Sequence, residues 1–101
     1  MSELPAAQRI YLVLDGIPKG CWCSYGDVAS KAGLAGRARW VGQILSKLPN
    51  DSQLPWHRVM NAQGRIAFDP NDPRSPRQLE QLADEGLTPV AGRFPVNARW
   101  I

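Results

Sequence analysis

Few side chains in this sequence can take part in covalent chemistry. Cys21 and Cys23 lie in a Cys-Trp-Cys run, and His57 is the only histidine. A thiolate is the nucleophile of cysteine chemistry, and two neighbouring thiols can also bind a metal ion. A closed zinc site needs four ligands, however, and one histidine cannot complete a Cys2His2 set. The spacing favours free thiols, with redox and metal-binding roles as the alternatives.

Basic side chains are concentrated in the middle of the chain. The formal net charge is only +3, from 12 basic and 9 acidic residues. Residues 31–68 carry six basic residues against one acidic residue, a net charge of +5, and the remainder carries six against eight, a net charge of −2. Such a segment is typical of a protein that binds the phosphate backbone of nucleic acid. An ordinary solvated face with a chance imbalance is the alternative.

Length and composition limit the class of protein. The 101 residues are 44% apolar and 21% charged, which predicts one domain over 1–101 with a modest core and excludes a disordered chain. No run approaches the roughly 20 apolar residues of a membrane helix. The N-terminus lacks the basic start and apolar block of a secretory signal. We therefore expect a cytoplasmic protein.

Two short helices would position the candidate groups. Ser24-Tyr-Gly-Asp27 has the pattern of an N-cap followed by an acidic third residue, and predicts a helix over about 25–32 that ends at Gly33. A second helix is predicted over about 37–48, with an apolar stripe and a surface of small, polar and basic residues. Two helices joined by a glycine-containing turn are typical of a DNA-binding helix-turn-helix. A purely structural helix pair is the alternative.

A further helix and a hairpin are predicted around these two. Apolar spacing predicts a helix over 5–17. Residues 58–60 and 65–68 flank a turn that ends at Gly64 and predict a β-hairpin. This hairpin would form a wing, so the expected fold is mostly α with a small β-hairpin, a winged helix-turn-helix.

The C-terminal part predicts one last helix. Ser75 is expected to cap it after a proline-rich loop over 69–77, and Gly86 is expected to end it. Its inward positions are predicted to be Leu79, Leu82 and Ala83. Residues 87–101 are expected to be extended, with four packing candidates: Val90, Phe94, Val96 and Trp100.

Four segments carry a family resemblance. Residues 55–59, Pro-Trp-His-Arg-Val, resemble the Pro-Cys-His-Arg-Val active-site motif of the O6-alkylguanine-DNA alkyltransferases, the methylated-DNA–protein-cysteine methyltransferases. Tryptophan in place of the nucleophilic cysteine is the mark of the alkyltransferase-like proteins. Residues 24–27 are similar to the family's Thr-Tyr-Gly-x segment, residues 39–42 to its Arg-Ala-Val-Gly segment, and residues 83–86 to its late helix end. The resemblance covers about residues 5–87.

The resemblance implies that this chain lacks the family's covalent chemistry. In the alkyltransferases, cysteine takes the alkyl group from guanine O6, histidine deprotonates the cysteine through water, and glutamate orients the histidine. His57 and Glu85 occupy those places here, but the indole of Trp56 has no usable nucleophilic lone pair. Leu48 stands where the family has an asparagine. No catalytic residue, cofactor or metal is expected.

The resemblance also implies roles in handling DNA. Arg39 would fill the space left by a flipped guanine, and Tyr25 would rotate the 3′ phosphate and wall the lesion pocket. Trp56 would offer apolar surface and an N–H donor to the alkylated base. The expected site residues are Tyr25 and Arg39 for base flipping; Tyr25, Trp56 and Val59 for the lesion pocket; His57, Arg58 and Glu85 for pocket support; and Ser24, Arg37, Gly42 and Gln43 for phosphate contacts.

The expected function is that of a non-catalytic DNA-damage sensor. It would act as a monomer that binds O6-alkylguanine in duplex DNA, flips the damaged base and flags it for the damage-recognition proteins of nucleotide excision repair. It would associate with the nucleoid through DNA and have no membrane partner. One alternative is an active alkyltransferase that uses Cys21 or Cys23. Another is a winged-helix transcription regulator that binds a defined, unmodified operator.

Overall fold

The computed structural model describes residues 4–100, so residues 1–3 and 101 of the predicted domain lie outside it. Its helices are α1 (Ala6–Gly16), α2 (Tyr25–Lys31), α3 (Ala38–Ser46) and α4 (Arg74–Asp84), and its strands are β1 (Cys23–Ser24) and β2 (Val59–Met60). Short 3-10 turns occupy Trp56–Arg58 and Val96–Ala98. The mostly helical class is confirmed, with α1, α2 and α3 within two residues of their predicted bounds. None of these helices is long and apolar enough to cross a membrane.

The helix-turn-helix forms because α2 has defined ends. Ser24 Oγ accepts the Asp27 N–H at 3.0 Å, and an Asp27 carboxylate oxygen accepts the Ser24 N–H at 3.0 Å, which completes the predicted capping box. Gly33 follows the helix with a φ of +76°, a left-handed conformation that suits glycine. The chain then turns into α3, which packs on α2 and buries Val41 in the shared core.

The small sheet differs from the predicted hairpin. β1 and β2 pair in parallel, with Cys23 opposite Val59. Residues 65–68 lie outside both strands, and the turn before them is closed by Asn61, whose side-chain oxygen accepts the N–H groups of Gln63 and Arg65 at 3.0 Å. The predicted hairpin pairing is therefore wrong, because β2 takes its partner from a distant strand rather than from the chain that follows it.

Two clusters of buried side chains hold the elements together. The first lies between α1, α2, α3 and the sheet, and consists of Ile10, Leu14, Ile17, Cys23, Val28, Ala29, Ala32, Val41 and Val59. The second joins β2 and α4 to the C-terminal segment (residues 88–100), and consists of Trp22, Met60, Leu82, Leu87 and Phe94. Phe94 is thus buried as predicted. The predicted packing of Val90 and Val96 is wrong, since both lie in surface turns and are 76% and 75% exposed.

Helix α4 begins earlier than predicted. An Asp72 side-chain oxygen accepts the Arg74 N–H at 2.9 Å, so the helix begins before Ser75, the predicted cap. A carboxylate that accepts a backbone N–H two residues further on is a common way to start a turn or helix. The predicted end is confirmed, since Gly86 follows the helix with a φ of +87°.

The residues of α4 that face the core differ in part from the predicted ones. Gln78 and Leu82 are fully buried, whereas Leu79 is 41% exposed and Ala83 lies on the surface. Gln78 can occupy the core because its amide nitrogen donates to two backbone carbonyls near β2. Apolar spacing alone does not reveal a glutamine on the buried face, so the predicted inward positions of Leu79 and Ala83 are wrong.

The orientation of α4 gives a matched pair of variants. Leu82→Ala should lower the free energy of unfolding by about 2–5 kcal/mol, because it leaves a cavity in the second core cluster. Leu79→Ala makes the same change on the exposed face and should cost less than about 1 kcal/mol. Urea unfolding followed by circular dichroism measures both, and equal losses would contradict the observed orientation.

Candidate nucleic-acid interface

A tight turn presents Trp56 at the surface of the core. Residues 56–58 form a 3-10 turn that leads directly into β2. The Gln78 side chain donates to the carbonyl oxygens of His57 and Val59, at 2.9 and 2.8 Å. These bonds fix the backbone on both sides of Arg58 and leave the Trp56 side chain half-buried.

The carboxylate of Glu85 connects this turn to the rest of the molecule. His57 Nε2 lies 2.8 Å from one carboxylate oxygen and donates to it, since an ionised carboxylate can only accept. Arg58 Nη2 donates to the same oxygen at 2.7 Å, and the Gly20 N–H donates to the other at 3.3 Å. Arg58 Nη1 also donates to the Ile17 carbonyl at 2.7 Å. The three residues predicted to support the pocket are therefore in direct contact.

Opposing effects set the pKa of Glu85, whose side chain is only 7% exposed. Burial by itself would raise the pKa. Hydrogen bonds from Arg58, His57 and the Gly20 N–H outweigh it and lower the pKa from 4.5 to about 2. The carboxylate is therefore ionised at neutral pH, with its oxygens occupied by structural donors.

A cavity of about 240 Å³ opens between the first turn of α2, the end of α3, the Trp56 turn and α4. Tyr25 and Trp56 line it together, as does Leu48. Val59 does not, because β2 pairs with β1 and places it in the first core cluster at 1% exposure, so its predicted place in the pocket is wrong. The complete wall consists of Tyr25, Leu45, Ser46, Leu48, Pro49, Asn50, Trp56, Phe68, Pro73, Arg74 and Arg77.

One side of the wall alternates aromatic rings and guanidinium groups, of which the sequence analysis predicted only Trp56. The rings of Trp56 and Phe68 meet edge-on, with centroids 6.1 Å apart. The Arg74 guanidinium lies 4.3 Å from the Phe68 centroid, and the Arg77 guanidinium lies 5.6 Å from that of Trp56. Arg77 is further fixed by donating to the Asn50 carbonyl at 2.7 Å. The sequence signal that could have found them is the spacing of Arg74 and Arg77, because residues three apart lie on the same face of a helix.

Tyr25 is held at the cavity by α3. Burial raises the pKa of its phenol, and nearby Arg74 lowers it by a smaller amount, so the hydroxyl is protonated and able to donate at neutral pH. A Cβ at Gly42 would lie 3.9 Å from two carbon atoms of the Tyr25 ring. Gly42 therefore lies directly beside the ring, at a distance where a Cβ would make an ordinary van der Waals contact.

The exposed face of α3 carries most of the predicted DNA-contacting residues. Arg37, Arg39 and Gln43 are exposed and line one shallow depression at the start of α3. Arg39 also lies one helical turn from Gly42 and two turns from Ser46, which borders the cavity. A surface with two basic side chains therefore leads along α3 to the cavity mouth.

Ser24 is not available for the phosphate contact predicted for it. The residue is 2% exposed, and its hydroxyl accepts the Asp27 N–H and, at 3.3 Å, a hydrogen bond from Arg99. In the sequence, a serine before a helix can either cap that helix or bind a phosphate. Because Ser24 is buried beside β2, its hydroxyl cannot reach a phosphate and serves only as the cap. Gly42 lies beside the Tyr25 ring and has no side chain with which to contact a phosphate.

Neither cysteine belongs to the cavity wall. Cys23 is buried in β1, where burial, with a smaller contribution from Asp27, raises its pKa to about 12. Its thiol is therefore protonated at neutral pH. Cys21 is half-buried against the first core cluster, and neither cysteine forms a disulfide.

Comparison with known proteins places this geometry in a family. Residues 5–87 match the family described as 6-O-methylguanine DNA methyltransferase, DNA binding domain. The chain is 44% identical over 79 residues to a DNA base-flipping protein of Vibrio parahaemolyticus, a match that covers 78% of this chain and 77% of that protein. It is 34% identical over 79 residues to alkyltransferase-like protein 1 of Schizosaccharomyces pombe, covering 78% of this chain and 73% of that protein.

A solved structure resembles the whole chain. It is the crystal structure of Schizosaccharomyces pombe Atl1 in complex with damaged DNA containing O6-carboxymethylguanine. The two superpose with a TM-score of 0.84 at 28% identity, covering 100% of this chain and 99% of that one.

The Glu85 contacts predict a pH-dependent stability. Glu85→Gln should lower the free energy of unfolding by about 3 kcal/mol at neutral pH, because Arg58 loses a buried ionic partner. The folded-state pKa of about 2 lies below the ordinary value of 4.5, so the ionised carboxylate stabilises the fold fully above pH 4.5 and progressively less as pH falls towards 2.

Urea unfolding at pH 7 and pH 3 tests this dependence. The stability difference between wild type and Glu85→Gln should be smaller at pH 3. Glu80→Gln, the same change at an exposed position of α4, should match wild type at both pH values. A difference for Glu85→Gln that does not change with pH would refute the ionised network.

Proposed function

The chain belongs to the family of 6-O-methylguanine DNA methyltransferase DNA-binding domains, and we propose that it is a non-catalytic sensor of O6-alkylguanine in duplex DNA. The observation that carries the proposal is that Trp56 shares a cavity wall with Tyr25. From the resemblance of residues 55–59 to the family's active-site motif, we assign Trp56 to the position of the nucleophile. Such a cavity would receive a flipped base without offering a group that accepts its alkyl substituent. A relative named for base flipping and a similar structure bound to damaged DNA support this function.

The chemistry of the wall suits an alkylated guanine. Alkylation at O6 adds apolar surface and removes the proton from N1. The indole of Trp56 offers an apolar face together with an N–H donor for a ring acceptor. Phe68 and Leu48 extend the apolar surface of the same cavity. An unmodified guanine would bring an N1–H donor to this wall and gain less apolar contact.

Arg39 and Tyr25 would open the duplex. Extruding a base costs a few kcal/mol, and less where the pair is already weakened by damage. We assign Arg39 to the space that the flipped guanine leaves, because it is exposed on α3 near the cavity mouth. The neutral hydroxyl of Tyr25 would donate to the rotated phosphate. Arg37 and Gln43 would contact the neighbouring backbone phosphates.

Several contacts favour recognition over alkyl transfer. Glu85 binds both His57 and Arg58, and the neighbouring side chain that would have to react, Trp56, is an indole. Cys23 is buried and protonated, and Cys21 is absent from the cavity wall. We therefore assign His57, Arg58 and Glu85 to pocket support.

A sensor without chemistry needs a repair process to act after it. We propose that the protein, as a monomeric single domain associated with the nucleoid, presents the flipped base to the damage-recognition proteins of nucleotide excision repair. The support for this step is the resemblance to the alkyltransferase-like proteins.

Binding to matched duplexes tests the function. The protein should bind a duplex with one O6-methylguanine more tightly than the same duplex with guanine, and the non-specific part should weaken with salt as counterions are released. Fluorescence anisotropy at moderate salt measures both affinities, and equal affinities for the two duplexes would refute the sensor proposal. With a radiolabelled O6-methyl group, the label should stay on the DNA; stoichiometric label on the protein would establish an alkyltransferase instead.

Two arginines at the start of α3 separate lesion recognition from general DNA affinity. Arg39→Ala should abolish most of the preference for O6-methylguanine, while its melting temperature stays near that of wild type because the side chain is exposed. Arg37→Ala removes the same charge two residues away and should weaken binding to both duplexes alike. An Arg39→Ala protein that keeps the wild-type preference would show that this arginine does not enter the duplex.

A further inference from the structure

The C-terminal segment, beyond the residues that match the family, attaches to the chain beside β1. The backbone N–H of Trp22 donates to the Ala98 carbonyl at 3.0 Å, and the backbone N–H of Trp100 donates to the Trp22 carbonyl at 2.8 Å. These bonds pair Trp22 in parallel with Arg99. β1 thus lies between β2 on one side and the C-terminal segment on the other, and α2 follows it directly.

Arg99 reaches from this segment into the capping box of α2. Its Nε donates to Asp27 Oδ2 at 2.8 Å, and its Nη2 donates to Asp27 Oδ1 at 3.0 Å and to Ser24 Oγ at 3.3 Å. A two-point contact between a guanidinium and a carboxylate fixes the carboxylate plane. The guanidinium also lies 5.3 Å from the centroid of the Trp22 ring. Both members of the capping box are therefore held by one side chain from the far end of the sequence.

The first turn of α2 depends strongly on such contacts. The helix has seven residues, so its uncapped ends make up a large part of it, and short helices are marginal without outside support. Tyr25 is its first residue and directly follows Ser24. The direction in which the phenol enters the cavity therefore follows the geometry of the cap.

From these contacts we propose that Arg99 is a positioning residue for Tyr25: it braces the Ser24–Asp27 capping box and so keeps the phenol at the cavity wall. The inference rests on the proposed function, in which Tyr25 acts on the flipped nucleotide. It extends the recognition machinery to the C-terminal segment, none of whose described residues lines the cavity or the depression at the start of α3.

Amide hydrogen exchange in the free protein tests the positioning without DNA. The Asp27 N–H is donated to Ser24 Oγ, so Arg99→Gln should speed its exchange several-fold and leave amides inside α4 unchanged. Arg93→Gln is the matched control, since Arg93 is an exposed arginine of the same segment, and its side chain donates to the Gln63 carbonyl and not to the capping box. Unchanged exchange at Asp27 in Arg99→Gln would overturn the proposal.

DNA binding tests the consequence for recognition. Arg99→Gln should lower affinity for the O6-methylguanine duplex by roughly three- to fivefold, a size typical of a partly exposed ion pair, and Arg99→Lys should recover part of the loss. In a Tyr25→Ala background, Arg99→Gln should cause no further loss. The same loss in both backgrounds would mean that Arg99 acts on DNA directly or on the whole fold, and would refute the proposal.

The two measurements separate the inference from the function on which it rests. A wild-type protein without any preference for the lesion would refute the proposed function, while the exchange rates would still decide the role of Arg99. A wild type that prefers the lesion, beside an Arg99→Gln protein that behaves like Arg93→Gln, would refute the inference alone.

Discussion

The buried carboxylate of Glu85 is the interaction on which the rest of the structure depends. A carboxylate removed from water is costly unless donors surround it, and here they come from the loop before β1 and from the Trp56 turn. Arg58 also binds the Ile17 carbonyl at the end of α1. Neither α1 nor α4 can therefore shift without moving the turn that carries Trp56.

This arrangement explains how a site can keep its geometry without its chemistry. A histidine that is oriented by a buried glutamate is suited to act as a base for a neighbouring nucleophile. Where the neighbouring residue is Trp56, the same contact only stabilises the cavity wall. Gln78 reinforces the wall from α4 by binding the backbone on both sides of Arg58. Under the proposed function, stability of the pocket and recognition of the base rest on one set of contacts.

The cavity and its supports are assembled from distant parts of the chain. Tyr25 comes from α2, Trp56 from the 3-10 turn and Arg77 from α4. A parallel strand pair joins the chain before α2 to the chain after the 3-10 turn, and the C-terminal segment pairs with Trp22 beside it. Parallel pairing joins strands that are far apart in sequence. The first turn of α2 is consequently tied to β2 through the sheet and to the chain end through Arg99.

The sequence by itself determined what short-range signals encode. The Ser24–Asp27 pattern predicted the start of α2, and Gly33 and Gly86 predicted helix ends. The family resemblance of residues 55–59 and 83–86 identified His57 and Glu85 as partners 28 residues apart. Each of these features depends on a few neighbouring residues or on a family pattern. Tertiary structure alone decided the partner of β2, the burial of Val59 and Ser24, the rotation of α4 about Gln78, and the arrival of Arg74 and Arg77 at the cavity. The physical reason is that a strand edge or a buried polar side chain is satisfied by whichever donors and acceptors the fold brings to it, and those groups lie far away along the chain.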